Sequence, residues 1–387
     1  RGLTADQIGW LGDRLADLKP AQLAMFSVAQ TQAFSVEQLN KLDETQFQAL
    51  KPTQIKALTQ DQIQGLDEAS IQNLSTTQAR ALTATQVGWL SAEQVRWIED
   101  EDLQQLGKAQ IQNLNVQSLQ AQQLQALQYS QVSALSGSQL SSLGDNIAEL
   151  QPAQVRGLTA AQLSGLSAED VAKFGEAALA AFTSAQVKAL KPDAIGALAE
   201  GQVQALGDLQ LAALLPAQVE KLDIENLLPQ QFAALTSSQM KSITEEQAAH
   251  ISQDHFERLT ASQLGSLQPS VIKGLAADTL EALSANAARG LKPEQIAVLT
   301  ENQIKELPGH ALTVLSSTQL VKLDVSKLDT NQISALQAKQ ITSLKPEQVK
   351  SMGEDLLAEF SVGQVNALKP AQLMGLSEEQ LQALRLN

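Results

Sequence analysis

The sequence predicts an all-α protein, a continuous α-solenoid in which each eight-residue repeat forms one very short helix of about two turns. Three observations lead to this prediction. An apolar residue, usually Leu, recurs every eight residues, Gln stands at one fixed place in most repeats, and nearly all prolines share another. Self-similarity at a fixed period is typical of repeat architectures, whose core grows by the addition of units.

The anchoring residues can be followed without a gap from Leu3 to Leu384. They delimit 49 units, of which 44 have eight residues, two have seven and three have five. The five-residue units are 114–118, 222–226 and 323–327, and the seven-residue units are 11–17 and 143–149. Because no Gly-, Ser- or Pro-rich linker interrupts the period, residues 1–387 are predicted to be a single repeat-array domain, and part of a longer array.

The unit reads L-[S/T]-x-x-Q-[I/V]-x-A, with the anchor as position 1. Position 5 is Gln in 33 of the 44 octads. A Ser or Thr followed three residues later by Gln is a capping box, in which each side chain bonds to the backbone N–H of the other residue. Position 2 is therefore the predicted N-cap, and the helix begins at position 3.

The prolines test this assignment. Ten of the 11 stand at position 3, the first helical position, where a missing N–H has no cost. Pro308 is the exception, at position 2. A strand would place these prolines in its interior, where they remove ladder hydrogen bonds, so strands are excluded. The ten residues are Pro20, Pro52, Pro152, Pro192, Pro216, Pro229, Pro269, Pro293, Pro346 and Pro370.

A helix from position 3 to the next position 1 has seven residues, too few to be stable alone in water. Positions 6 and 1 lie three residues apart on one helical face. The units must therefore stack, and we expect a superhelix with these aliphatic side chains inside.

Composition excludes several classes of partner and site. The net charge of −15 disfavours nucleic acid and anionic membrane surfaces. No apolar run is long enough for a membrane span. Cysteine is absent, which excludes disulfides and thiolate chemistry and is compatible with export to an oxidising space. The chain starts at Arg1 and carries no signal peptide, so we interpret it as a fragment or a processed product.

Few residues have the spacing of a catalytic or metal site. The three histidines are His250, His255 and His310, and the first two are separated by a predicted helix boundary at Ser252. His255 stands at position 5 and is predicted to replace Gln as a capping residue. The acidic run 99–102 is interpreted as a solvated helix start rather than a calcium loop. We therefore predict no catalytic residue, no metal and no cofactor.

Tryptophan supplies the candidate binding residues. Trp10, Trp89 and Trp97 all stand at position 8, where Ala is common, and Trp89 and Trp97 lie in adjacent units. Exposed neighbouring indoles are suited to binding a sugar or a partner protein. The alternative is that they fill a wider part of the core.

The unit resembles the octapeptide L-[S/T]-x-x-Q-[I/V]-x-A-L arrays of large bacterial surface and secreted proteins, over essentially the whole chain. That resemblance implies an extracellular or cell-surface stalk, adhesin or matrix-like segment without catalytic residues. The predicted function is a non-catalytic structural scaffold or stalk of an exported bacterial protein. The alternative is a solenoid that binds a protein or peptide in its superhelical groove, and a cytoplasmic location and self-association stay open.

Overall fold

A computed structural model describes residues 2–384 and confirms the all-α prediction. Over those residues the regular elements are 43 α-helices of four to six residues and six 3-10 helices, without a strand. Contacts divide the chain into two compact units, residues 1–197 and 198–387. Each unit is a coil of short helices wound into successive turns.

The first compact unit consists of 22 α-helices and three 3-10 helices in the described residues. Its α-helices are Ala5–Gly9, Pro20–Leu23, Val28–Gln32, Val36–Asn40, Glu44–Gln48, Pro52–Ile55, Gln60–Gly65, Glu68–Gln72, Thr76–Ala81, Ala84–Trp89, Ala92–Trp97, Asp100–Leu103, Lys108–Ile111, Ala121–Ala126, Tyr129–Val132, Gly137–Ser142, Pro152–Val155, Ala160–Gly165, Ala168–Ala172, Glu176–Ala180, Ser184–Ala189 and Pro192–Gly196. Its 3-10 helices are Gly12–Asp17, Val116–Ser118 and Gly144–Glu149.

The second unit has the same construction. Its α-helices are Glu200–Gln204, Asp208–Leu211, Pro216–Val219, Pro229–Ala234, Ser237–Met240, Glu245–Ala248, Gln253–Glu257, Ala261–Leu264, Pro269–Gly274, Ala285–Ala288, Pro293–Ile296, Glu301–Lys305, Gly309–Leu312, Ser317–Leu320, Thr330–Ala335, Ala338–Ser343, Pro346–Lys350, Glu354–Ala358, Val362–Asn366, Pro370–Leu373 and Glu378–Ala383. Its 3-10 helices are Ile224–Asn226, Ala277–Ala282 and Val325–Lys327.

Helix starts are where the capping pattern predicts them. Thr83 has extended dihedral angles, accepts a hydrogen bond from the N–H of Gln86 at 3.1 Å and donates its own N–H to Gln86 Oε1 at 2.8 Å. Where position 2 has no hydroxyl, its backbone N–H still donates to the side chain of the glutamine. Lys51 N–H, for example, donates to Gln54 Oε1 at 2.7 Å. All ten position-3 prolines are first helical residues, and Pro308 is an N-cap.

The glutamine has a second role that joins successive turns. Gln86 Nε2 donates to the carbonyl oxygens of Ile55 at 2.9 Å and Leu58 at 3.0 Å. These acceptors are position 6 of the fourth unit back and position 1 of the third unit back. One turn of the coil therefore holds between three and four units.

The glutamine and its acceptors in the preceding turn are separated by a constant number of repeat units, not by a constant number of residues. Gln123 comes after a five-residue unit and bonds the carbonyls of Val95 and Ile98, 28 and 25 residues earlier. Gln86 reaches 31 and 28 residues back to the same two positions of the unit. A five-residue unit thus counts as a full octad for the glutamine that follows it, although it supplies no position-5 glutamine of its own. Each seven-residue unit has a left-handed glycine at position 2, Gly12 at φ 49° and Gly144 at φ 57°, which explains the Leu-Gly-Asp start.

Aliphatic side chains at positions 1 and 6 of the repeats fill the interior of each of the two compact units. Ile55 and Leu58 are 0% and 3% exposed, and position-5 glutamines such as Gln86 are buried with them. A cavity enclosed by Leu291, Ile296 and Leu312 has a volume of only about 10 Å³. That is at the lower limit for one water molecule, so the core of the second unit is closely packed there.

Position 8 lies against position 3 of the previous turn, which explains the preference for Ala. At Gly290 even a methyl group would overlap the backbone of Ala261, the position-3 residue of the turn before. Gly165 also stands at position 8, but an added Cβ there has open space around it. Small residues at position 8 therefore allow two turns to approach closely at particular places.

We expect Gln86→Glu to lower the free energy of unfolding by about 3 kcal/mol, because the carboxylate keeps the side-chain shape but removes both donors to buried carbonyls. Gln60→Glu is the matched control, since Gln60 is exposed at position 3, and its change should stay within about 0.5 kcal/mol. Urea denaturation of the full chain measures both. Equal effects of the two substitutions would contradict the role of the ladder.

Gly290→Ala should destabilise the chain by about 1–3 kcal/mol, because the new methyl group forces the backbone of Ala261 away. Gly165→Ala should instead be neutral or stabilise by up to about 1 kcal/mol, through the higher helix propensity of Ala. Thermal and urea denaturation of the two variants compare them directly. A loss at Gly165 as large as that at Gly290 would show that turn spacing is not the cause.

Candidate functional site

A cleft of about 380 Å³ on the first compact unit is lined by aromatic, acidic, basic and amide side chains. The segment 96–101 forms one wall, Gln72 comes from the preceding turn, and Gln120, Gln122 and Gln123 come from the following turn. Trp97 ends the helix Ala92–Trp97 and is half-buried beside this cleft. Three successive turns thus contribute to one concave surface.

The charge of the cleft is predominantly negative. Glu99, Asp100 and Glu101 line it, against a single positive side chain, Arg96. Asp100 Oδ2 accepts a hydrogen bond from Gln122 Nε2 at 2.8 Å, which ties the acidic wall to the next turn. An indole beside carboxylates favours a cationic group, through the negative face of the ring and through direct charge attraction.

The structure separates the tryptophans that the sequence places together. Trp97 lines the cleft, whereas Trp89 is half-buried outside it, with its carbonyl oxygen 3.4 Å from Gln64 Nε2. Trp10 lies in the first turn with 79% of its surface exposed. The partner-binding role assigned to Trp89 and Trp97 stays a prediction, and the two residues do not share one cleft.

The interpretation of 99–102 as a solvated helix start is correct for Glu99 and Glu101 and wrong for Asp102. Glu99 and Glu101 are exposed, but Asp102 is only 3% exposed. The reason is that Asp102 occupies position 5, whose side chain points into the stack. Its Oδ2 has no hydrogen-bond partner, and burial, then the charges of Glu99 and Glu101, raise its pKa to about 6.

His255 replaces a position-5 glutamine, as predicted. Its Nδ1 accepts from the N–H of Ser252 at 3.3 Å, and its Nε2 lies 2.8 Å from the carbonyl oxygen of Leu227. Because the carbonyl only accepts, the proton must be on Nε2. His250 instead pairs with an acid, with its Nδ1 3.3 Å from Glu225 Oε2. Within residues 2–384, no group of three or more His, Cys, Asp or Glu side chains is arranged to hold a metal ion.

Sequence reasoning missed Gln72 and Gln122 as cleft residues and Asp102 as a buried acid. The two glutamines stand outside position 5, and their place depends on the number of units in a turn. Asp102 did carry a signal, because it is one of the two places where an acid replaces Gln at position 5 of an octad. No helix of the described chain is long and apolar enough to cross a membrane.

No family model and no curated protein matches the chain. A solved structure of APUM23-GGAUUUGACGG aligns with 100% of this chain and 83% of that chain, at 12% sequence identity and a TM-score of 0.20. A TM-score that low is below the level at which two chains share a fold.

Proposed function

We propose that the chain is a non-catalytic structural scaffold, a stalk segment of an exported bacterial protein. The observation that carries this proposal is the use of the most regular polar groups. Most position-5 glutamines are buried, and their amides are engaged in capping and in joining turns, as Gln86 illustrates. Side chains committed in this way hold the array together and are not available to bind a ligand.

Two sequence features support the exported location. The chain has no cysteine, so folding in an oxidising space carries no risk of wrong disulfides. The unit resembles octapeptide arrays of large bacterial surface and secreted proteins. A scaffold in that setting needs a stable array of repeats, and each added unit extends the same core.

A stalk must be longer than it is wide, which small-angle X-ray scattering measures. A compact globular protein of 387 residues has a radius of gyration of about 21 Å. Packed helices lie about 8–10 Å apart, so a single column of this chain's turns should give roughly 30 Å or more. A value near 21 Å would contradict the scaffold proposal.

A second candidate function is the binding of a basic peptide segment in the cleft beside Trp97. The observation that favours it is the combination of a half-buried indole with the carboxylates of Glu99, Asp100 and Glu101 on one concave wall. The net charge of −15 would steer a basic partner to the chain from a distance. Lysine and arginine side chains supply the charge, and arginine also stacks on an indole.

Trp97→Ala should weaken binding of a synthetic Lys/Arg-rich octapeptide about twofold to fivefold, through the loss of a cation–π contact. Trp89→Ala is the matched control, because Trp89 also stands at position 8 but lies outside the cleft. Isothermal titration at low salt measures both affinities. Equal losses in the two variants, or no binding by the wild type, would exclude this candidate without affecting the scaffold proposal.

A further inference from the structure

Aspartate replaces the position-5 glutamine twice, at Asp102 and Asp170, and the two sites are a natural comparison. Both side chains are buried, with 3% and 8% of their surface exposed. Each lies in the first turn of a short helix, Asp102 in Asp100–Leu103 and Asp170 in Ala168–Ala172. Their hydrogen-bond environments are different.

The carboxylate of Asp170 accepts hydrogen bonds from two serine residues. Its Oδ2 accepts from Ser141 Oγ at 2.8 Å and from the N–H of Ser167 at 3.2 Å. Burial alone would raise the pKa of this carboxyl, but the hydrogen bonds from Ser141 and Ser167 outweigh burial and lower it. Ser141 comes from the preceding turn, at position 7 of the fourth unit back. A hydroxyl at that position therefore lets an ionised aspartate join two turns.

Asp102 lacks that donor. The residue at position 7 of its fourth unit back is Gln72, whose side-chain amide bonds Glu68 Oε1 at 3.2 Å instead. Asp102 Oδ2 is buried without a partner. An ionised carboxylate at this place has no proton to donate to the preceding turn.

The preceding turn presents acceptors at this place. Gln94 and Gln110, in the flanking units, donate to the carbonyl pairs of Ile63 and Leu66, and of Ala79 and Leu82. The register assigns the carbonyls of Ile71 and Leu74 to Asp102. Neither receives a side-chain hydrogen bond from any residue of the described range 2–384. The ladder lacks a rung here, as it does where position 5 is Ala, Val or Leu, but here the position-5 residue is an acid.

The charged surroundings do not compensate an ionised Asp102. The helices packed against Asp100–Leu103 are Thr76–Ala81, which carries only the exposed Arg80, and Ala121–Ala126, which carries no charge. On its own element, Asp102 has Asp100 as a neighbour and is affected by the like charges of Glu99 and Glu101. Desolvation and repulsion therefore both favour the neutral acid.

We propose that Asp102 is a proton-binding site that fastens two successive turns: the neutral carboxyl donates a hydrogen bond to the main-chain carbonyl of Ile71 or Leu74, and its ionisation releases that bond. The proton is exchanged with solvent, and no other bond changes. The helix Asp100–Leu103 carries Asp100 and Glu101, so this bond also fixes the acidic wall of the cleft.

The pH range follows from the direction of the shift. The pKa of Asp102 rises from its ordinary 3.8 to about 6 in the folded chain. The stabilisation is therefore fully present below pH 3.8 and is lost as the pH rises through about 6. Asp170 has the opposite shift and stabilises the chain at neutral pH, losing this contribution as the pH falls.

Hydrogen exchange of the full chain tests the proposal, with rates corrected for intrinsic pH dependence. In the wild type the opening constant of the amides in 99–106 should be roughly 25-fold larger at pH 7.5 than at pH 4.5, relative to Asp102→Gln. Asp102→Gln restores the repeat residue and should give strong protection at both pH values. A wild type with the same pH dependence as Asp102→Gln would overturn the proposal.

Two further variants distinguish the proposed hydrogen bond of Asp102 between turns from a general effect of low pH on the chain. Gln72→Ser supplies the hydroxyl that Asp170 receives from Ser141, so it should lower the pKa of Asp102 in a carbon-13 carboxyl titration and reduce the pH dependence of exchange. Ser141→Ala should raise the pKa of Asp170 toward that of Asp102. If Gln72→Ser leaves the titration of Asp102 unchanged, the missing donor is not the cause and the proposal fails.

Discussion

The fold depends on the position-5 glutamine, because this side chain satisfies two helix ends at once. A helix of four to six residues leaves most of its N–H and C=O groups without an internal partner. Gln86 Oε1 accepts from the N-terminal end of its own helix at Thr83, and its Nε2 donates to carbonyls at the C-terminal end of a helix one turn earlier, at Ile55 and Leu58. Helices too short to be stable alone become stable because each one caps another.

A second constraint is the distance between turns. The glutamine side chain has a fixed reach, so the backbones of successive turns must approach closely, and position 8 is small where they meet. Gly290 against Ala261 is the closest such place. Units of five or seven residues supply no position-5 glutamine, but they keep the register of the ladder because they preserve positions 1 and 6 of the neighbouring units.

Most of the fold follows from local chemistry that the sequence displays. The N-caps, the proline positions and the inward face of Ile and Leu residues depend on contacts within four residues, and all three are as predicted. The acceptors of Gln86 lie 28 and 31 residues away, and they depend on the number of units per turn, which no local pattern specifies. For the same reason no local pattern shows that Trp97 lines the cleft and Trp89 does not. The acidic neighbours of Asp102 predict a solvated helix start, whereas its position in the unit decides its burial.

Scaffold and ligand site make different demands on these polar groups. In a scaffold the aligned glutamine amides form hydrogen bonds within the array. A group that can titrate or bind a ligand then has to come from residues that depart from the repeat, such as Asp102 and His255. The exchange of side-chain amide protons in a chain labelled with nitrogen-15 glutamine tests the central claim most directly. We expect two populations, with slow exchange for buried position-5 glutamines such as Gln86 and fast exchange for exposed glutamines such as Gln60. Fast exchange at all glutamines would contradict it.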